Sequence, residues 1–415
     1  MDRPEVSILV NTFERPWHLR RCLVSLAGQS VANKMEVIVV DDGSRDETAG
    51  VVHSFARTAP FPVKFLSHPH EAFQLCRCRN EGAAASSAER LIFFDGDLLA
   101  GPHHIAEHLR HLAPGIVTNS YCVRFSEEIS QQIGEDQIRS GEFIQRATRE
   151  DLAKLKRMHR KAWFYQLIRH YNKPRCKGGD LGVMRTDFER LNGFDENFRA
   201  WGGEDDDFGF RLRVAKVQLR YIMNTTRSYH LWHPPAPSRP DRLRNGKNES
   251  YLHRQARLTK CLNGLAKRTL RDLEVRLCGV SSDAAALQRS LQAHFKWPQL
   301  PPEGRADVEV LPFPGEGRFT TAADARLLLV TQQSAPVPTR ILKPAHIVLS
   351  PQGDIGLQGQ VRLRLEDQAG LSEALGWRRN VSIHRPEMPE CEPYFFSTFS
   401  VSSGSSLRGR SFLGA

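Results

Sequence analysis

Through the first 120 residues, short apolar runs alternate with helical periods. "VSILVN" (6–11) reads as a strand buried in a sheet. "PWHLRRCLVSLAGQ" then places Leu19, Cys22, Leu23 and Leu26 at helical spacing behind Pro16, which suits a first helical position. The same reading predicts strands at "MEVIVVDD", "VKFLSH" and "RLIFFDGD", and helices at "RDETAGVVHSFAR" and "AFQLCRCRNEGAAASSA". Such alternation predicts a parallel sheet covered on both faces, with ligands at the carboxyl ends of its strands. That rule singles out Asn11 and Thr12, Asp41 and Asp42, and Asp95 to Asp97, because each group closes an apolar strand.

Further on the pattern changes. Residues 126–172 read as a charged helical insertion with an aromatic patch at Trp163, Phe164 and Tyr165, and residues 250–295 read as helical. Between Trp297 and Gly317 five prolines and several glycines suggest a linker. After it, "ARLLLVT", "AHIVLS", "VRLRLE" and "VSIH" are β-type runs, and the Ser/Gly-rich end reads as a tail. The expected organisation is an α/β catalytic unit over 1–240, a helical extension over 241–298 and a β-rich domain over 299–415.

Composition narrows the class. A length of 415 residues suggests two or three domains. The eight cysteines show no C-x-x-C pair and suggest reduced thiols, and no leader or apolar span is apparent, so the expected setting is cytoplasmic. The formal net charge is +11, and basic residues gather between Arg239 and Arg276. That stretch suits an anionic lipid, glycan or nucleic acid, or else is a solvated helix face.

Candidate chemistry sits at the strand ends. In "FFDGD", Asp95 and Asp97 would share one side of an extended backbone and offer two hard oxygens to one cation; an acidic turn is the plainer reading. Arg79 in "CRCRNEG" could pair with phosphate or brace Asp42, or be a surface arginine. "SYHLWHPP" places His230 and His233 where either could complete a metal site. "RAWGGEDDDFGFRL" sets Glu204 to Asp207 behind two glycines. Those carboxylates either complement a helix dipole or include a base and a group that grips a hydroxyl.

Together "VSILVNTFERP", "VVDDGSRDET", "RNEGAAAS", "FFDGD", "GGDLGVMRTDFERLNGFDENFRAWGGEDDDFGFRL" and "YHLWHPP" resemble glycosyltransferase family 2, over about residues 4–240. The later segment is similar to the element shared by chondroitin-type polymerases, polypeptide N-acetylgalactosaminyltransferases and β-1,4-galactosyltransferases. The resemblance implies the GT-A fold and inverting transfer from a nucleotide sugar, UDP-linked by expectation, to a glycan or lipid-linked acceptor, with Mn²⁺ or Mg²⁺. It implies nucleotide-sugar contacts from Thr12, Asp41, Asp42, Arg79, Asp95, Asp180 and Trp201. It implies metal binding by Asp95, Asp97 and His230 or His233, with Asp205 as base and Glu204 holding the acceptor. No nucleic acid is expected, and contact with an anionic membrane, at its inner face, is one option for the basic surface. The rivals are a sugar nucleotidyltransferase and a catalytically silent glycan- or membrane-binding protein on the same fold. A dinucleotide enzyme is disfavoured, since no G-x-G-x-x-G follows the first strand.

Overall fold

The computed structural model describes residues 3–376 apart from 171–172, 237–238, 241–245, 255, 282, 297–304, 321–322, 332–335 and 358–359. The expected "VSIH" strand and the tail lie outside the described residues, as does the first part of the Pro-rich connection.

The amino-terminal body runs β1 (Val6–Thr12), α1 (Pro16–Ala27), β2 (Met35–Asp41), α2 (Thr48–Ala56), β3 (Val63–Ser67), α3 (Leu75–Ala85) and β4 (Arg90–Asp95). It continues through β5 (Leu98–Ala100), α4 (His104–His111), β6 (Ile116–Asn119), β7 (Cys122–Arg124), α5 (Glu127–Gln132), α6 (Glu135–Ser140) and α7 (Arg149–Leu167). Then come β8 (Asp180–Met184), α8 (Arg185–Arg190), α9 (Glu204–Val214), β9 (Gln218–Tyr221) and β10 (Ser228–His230). The first four strands are parallel, as their two-sided apolar pattern predicts; β8 runs antiparallel to both β4 and β6, making the sheet mixed.

The seven-stranded order is β3-β2-β1-β4-β8-β6-β9. The chain winds outward from β1 to β3 and returns to the other side of β1 as β4. That reversal opens a crevice at the carboxyl ends of β1 and β4, where Thr12 and Asp95 lie. A three-stranded sheet, β5-β10-β7, closes the same end. Gly82 packs against Val40 and Leu9, which explains the small residues of α3.

Past the body come α10 (Glu249–Leu252), β11 (Val275–Leu277), β12 (Gly279–Ser281), α11 (Ala284–His294), β13 (Ala306–Phe313), β14 (Gly315–Gly317) and β15 (Ala323–Val330). The last are α12 (Thr339–Leu342), β16 (Ile347–Ser350), β17 (Val361–Arg364) and α13 (Gln368–Leu375). Here β11, β13, β15, β16 and β17 form an all-parallel five-stranded sheet.

Two expectations need correcting. Among the described residues the extension is α-helical at α10 and α11, with a single 3₁₀ turn at Leu270–Asp272. Between α10 and α11, β11 joins the carboxy-terminal sheet, and Ala256, Leu258 and Leu262 already pack in its core. The apolar positions there are recruited by tertiary burial against strands far along the chain. Nor is the later half of the Pro-rich connection a linker, because "ADVEVLPF" is β13, a central and buried strand. Its prolines, Pro312 and Pro314, fall beyond Val310, the last residue that β11 pairs, so no ladder bond is lost on that side.

The basic stretch is not a free cationic face. Arg254 pairs with Asp195 and Asp207, Arg257 with Asp207, Lys267 with Glu196, Arg268 with Asp307 and Arg276 with Glu309. The Arg254, Arg257 and Lys267 pairs stitch the body to the second unit, helped by Tyr251, whose hydroxyl bonds to Asp195 and to the carbonyl of Gly376. The Arg268 and Arg276 pairs lie inside that unit.

Candidate active site

Asp95 ends β4, and Gly96 and Asp97 form a tight turn into β5, so the D-G-D triplet is not extended. Gly96 is required there: its N–H donates to the Asn11 carbonyl at 3.0 Å, and a Cβ would lie 2.8 Å from that oxygen. The turn separates the two carboxylates by role. Asp97 faces the histidines, and Asp95 faces Arg79.

β10 runs beside β5 with His230 opposite Leu98, and the Leu231 N–H donates to the Asp97 carbonyl at 3.0 Å. This register brings both histidines to one aspartate. His233 Nε2 lies 3.0 Å from Asp97 Oδ2, and His230 Nε2 lies 3.8 Å from Asp97 Oδ1. One ligand atom from each of Asp97, His230 and His233 falls within 4.8 Å of the others. Asp97 Oδ1 is buried without a hydrogen-bond partner, and the donor set of two imidazoles and a carboxylate suits a divalent transition ion. Burial would raise the Asp97 carboxyl, but the His233 hydrogen bond, the neighbouring histidines and Arg15 hold it well below the usual range. Burial lowers His230 to about 4, against the pull of Asp97, leaving a neutral imidazole. The cluster of ligand atoms thus takes in Asp97 and both histidines, while the Asp95 carboxylate is turned toward Arg79.

Arg79, almost fully buried on α3, spans the crevice. Its Nη1 lies 2.9 Å from Asp205 Oδ1 and its Nη2 lies 3.4 Å from Asp95 Oδ1. It does not brace Asp42. Burial disfavours the guanidinium charge, yet Asp205, Asp95 and Glu204 together raise its pKa. Asp95 is raised by burial, with Arg79 opposing and Asp97 and Asp205 adding to the rise.

Glu204 and Asp205 open α9 behind Gly202 and Gly203, both at positive φ, the geometry that ends the preceding loop and aims the first turn. Asn248 pins this loop by donating to the carbonyls of Ala200 and Gly202. Burial, then the adjacent Asp205, pushes Glu204 up to about 8, with Arg79 opposing; its Oε2 is buried and has no hydrogen-bond partner. Asp207 points the other way. It is wholly buried against Arg211 at 2.7 Å and Arg254 at 3.0 Å, and these cations with Arg257 overcome burial to hold it at about 2. Asp206 meets Arg175 at 3.5 Å. Trp201 stacks under Arg239, with the guanidinium 5.3 Å from its ring.

Asp180 is not a surface contact for a sugar. It is buried, with Oδ1 accepting from His104 Nε2 at 3.0 Å and His108 Nε2 at 2.9 Å, and Oδ2 from Ser228 Oγ at 2.7 Å. Burial opposes its ionisation, but the two histidines hold it far below the usual carboxyl range. The outer nitrogens of both rings bond to Thr226 and Thr118, so this network is internally satisfied. The preceding glycines matter more. A methyl at Gly178 would overlap Asp205 Oδ1 and Arg79, and one at Gly179 would overlap Asp95 Oδ2.

At the far end of the crevice, Asp41 accepts from Ser44 N–H and both the Ser44 and Ser67 hydroxyls. It shapes the loop. Asp42 is engaged as well: His68 and the Gln74 side chain lie within 3.1 Å of Oδ1, and the Gln74 N–H and His70 within 3.2 Å of Oδ2. His68 loses basicity on burial but is carried up to about 11 by Asp42, Cys78 and Glu81. His70 also stacks on Phe13, with ring centroids 4.2 Å apart. Thr12 is nearly buried, and its carbonyl accepts from the Asp42 N–H.

Sequence reasoning passed over Arg15, which pairs with Asp97 at 3.0 Å, and His18, which bonds to the Trp232 carbonyl. It also passed over Phe13, His68, His70, Gly178 and Gly179. The diglycine ahead of Asp180 was the available signal, since adjacent glycines mark close approach to backbone.

The profile of glycosyl transferase family 2 matches residues 7–173, and that of the N-terminal domain of galactosyltransferase matches residues 157–234. Validoxylamine A glucosyltransferase from Streptomyces hygroscopicus subsp. jinggangensis is 31% identical over 242 residues, covering 52% of this chain and 53% of that protein. Chondroitin synthase from Escherichia coli is 23% identical over 337 residues, covering 70% of this chain and 48% of that one. Polypeptide N-acetylgalactosaminyltransferase 13 from Rattus norvegicus is 25% identical over 225 residues, covering 53% and 40%. The chain thus spans about half the length of such relatives or less. The crevice from Thr12 to His233 lies within the two matched spans, so the amino-terminal body is similar to glycosyltransferase family 2 and, in its later part, to the galactosyltransferase domain.

Proposed function

We propose that this protein transfers a sugar, with inversion, from a nucleotide-diphosphate sugar to a hydroxyl of a glycan or lipid-linked acceptor. The observation that carries the reading is the convergence of two unlike groups on one crevice. A metal-competent cluster, Asp97 with His230 and His233, lies on one side; a paired Glu204 and Asp205 lies on the other; Asp95 and Arg79 connect them.

A divalent ion held by Asp97, His230 and His233 would supply charge neutralisation for a departing diphosphate. The chain's own residues have separable tasks. Asp205, partly exposed at the head of α9, takes the proton from the attacking hydroxyl, a contribution typically of about 10²–10⁴-fold. Glu204, held protonated near neutrality by burial and by Asp205, donates a hydrogen bond to a sugar oxygen through its unpartnered side. Arg79 keeps Asp205 and Asp95 at fixed separation, so neither collapses onto the other. Uracil is the expected base, and its ring N–H would compete for Asp42 with His68, Gln74 and His70.

The test is transfer, or slow donor hydrolysis, measured over a panel of UDP-, GDP- and dTDP-sugars with and without Mn²⁺. Metal-dependent turnover that Asp205→Asn abolishes, while donor binding stays within a few-fold, supports the assignment. Full turnover in excess chelator would remove the metal from it. Turnover by Asp205→Asn would move the base elsewhere.

A further inference from the structure

From Leu152 to Lys177 the chain carries nine lysines and arginines and no acidic residue. Most of this stretch is α7, capped at its start by Thr148 and Asp151. Leu155 and Ala162 are buried toward the body, which fixes the orientation of the helix. On the opposite side the last turns expose Trp163 (59%), Phe164 (50%), Leu167 (64%) and Ile168 (50%). Globular proteins rarely gather four large apolar side chains on one exposed side of a helix end, here at spacing i, i+1, i+4 and i+5. Arg157, Arg160 and Lys161 sit one to two turns back beside a shallow depression that also reaches Trp163 and Phe164. None of these three cations has a carboxylate partner among the described residues.

We propose that the end of α7 docks on an anionic lipid bilayer, Trp163, Phe164, Leu167 and Ile168 entering the headgroup boundary while Arg157, Arg160 and Lys161 meet lipid phosphates. Two observations select lipid over an acidic glycan. Leu167 and Ile168 are aliphatic and offer nothing to a hydrated polyanion, but they gain on leaving water for acyl chain. The apolar cluster is also collared by basic side chains, which is the arrangement of interfacial anchors. The basic stretch after Arg239 is unsuited to the same work, since five of its cations are tied up in ion pairs. No described helix is long and apolar enough to cross a membrane, so contact here means surface docking. The chain from Ile168 runs in ten residues to Gly178 in the crevice, and Arg175 on that run pairs with Asp206 of α9. A docked α7 therefore holds the acceptor side of the crevice close to the bilayer.

The experiment is co-sedimentation of the full chain with vesicles of phosphatidylcholine alone and of phosphatidylcholine mixed with one third phosphatidylglycerol. The expected result is at least about tenfold stronger partition onto the anionic vesicles, weakening with salt, with a blue shift of tryptophan emission. Trp163→Ser/Phe164→Ser/Leu167→Ser/Ile168→Ser and Arg157→Glu/Arg160→Glu/Lys161→Glu should each lose about tenfold or more while keeping the wild-type circular dichroism and melt. Should the quadruple change cost the fold, Leu167→Ser alone repeats the test and should lose partition several-fold. Equal partition onto both vesicles, no partition by the wild type, or wild-type partition by a folded variant would overturn the proposal. So would binding to a soluble anionic polysaccharide without binding to vesicles. These outcomes are read without turnover, so they stand apart from the fate of the catalytic assignment.

Discussion

Asp207 should be worth more to stability than its three acidic neighbours together. It is wholly buried, and Arg211, Arg254 and Arg257 all point at it. Asp207→Asn keeps shape and size but leaves those guanidiniums in a low-dielectric site with their shared counter-charge gone. Removing one partner from a buried ion network costs about 3–5 kcal/mol. A separate route gives a compatible lower figure. Holding the carboxyl at about 2 in the fold against 3.8 in the open chain is worth roughly 2 kcal/mol. The mutation exceeds protonation because an amide turns an N–H toward cations. The sign follows from the depressed pKa: this stabilisation is fully present above about 4 and is lost as pH falls through about 2. Thermal and urea melts, followed by far-UV circular dichroism, should show Asp207→Asn melting roughly 10 °C below wild type at neutral pH. Asp206→Asn, at a half-exposed position, should melt within about 1 °C. A melt of Asp207→Asn indistinguishable from wild type would refute the claim that this carboxylate anchors the fold.

Four further outcomes are expected. Asp205→Asn should cut transfer by about 10²–10⁴-fold, and because it leaves buried Arg79 with only Asp95 beside it, it should also lower the melt, though by less than Asp207→Asn; near-normal turnover would refute its role as base. Glu204 binds its proton more tightly in the fold, so its contribution to stability is lost as pH rises from about 4.5 toward 8; differential melts should show Glu204→Gln lacking that slope and gaining relative stability at the alkaline end. Mn²⁺ at a hundredfold excess over its dissociation constant should stabilise the wild type by about 2.7 kcal/mol, and His230→Ala or His233→Ala should abolish that gain in a thermal-shift titration. Gly179→Ala would force a methyl into Asp95 Oδ2; overpacking of this kind costs about 1–3 kcal/mol, visible as a lower melt together with lost turnover.

Strand ends, helix starts and the crevice were legible because they rest on local rules: an apolar run, a turn residue, the reversal of winding at β1 and β4. His230 and His233 could be named for the same reason, each standing just past a strand. What the chain order hid was pairing across long separations. Nothing near Asp180 announces His104 or His108, more than seventy residues earlier, so a buried brace was read as a ligand contact. The cations after Arg239 looked free because their partners lie as far away as Asp195 and Asp307. Residues 250–295 looked helical because β11 has strand character only when β13 arrives beside it. Local pattern cannot display such partners. It registers charge and apolarity, and tertiary context decides how each is used.

The opposed faces of α9 limit how this protein can change. One turn of one helix presents Glu204 and Asp205 to the crevice and Asp207 to the arginines that tether the second sheet. A graft of the carboxy-terminal sheet from another protein would have to bring Arg254 and Arg257 with it, or leave a stranded carboxylate beneath the reacting groups. A cut at the apparent boundary near residue 299 would strand β11 and α11 without the sheet they belong to. Lineages that exchange this sheet should therefore do so at a junction upstream of α10, or alter position 207 in the same step. Through α9 the crevice and the tether of the second sheet share one turn of one helix, so neither can be altered without the other feeling it.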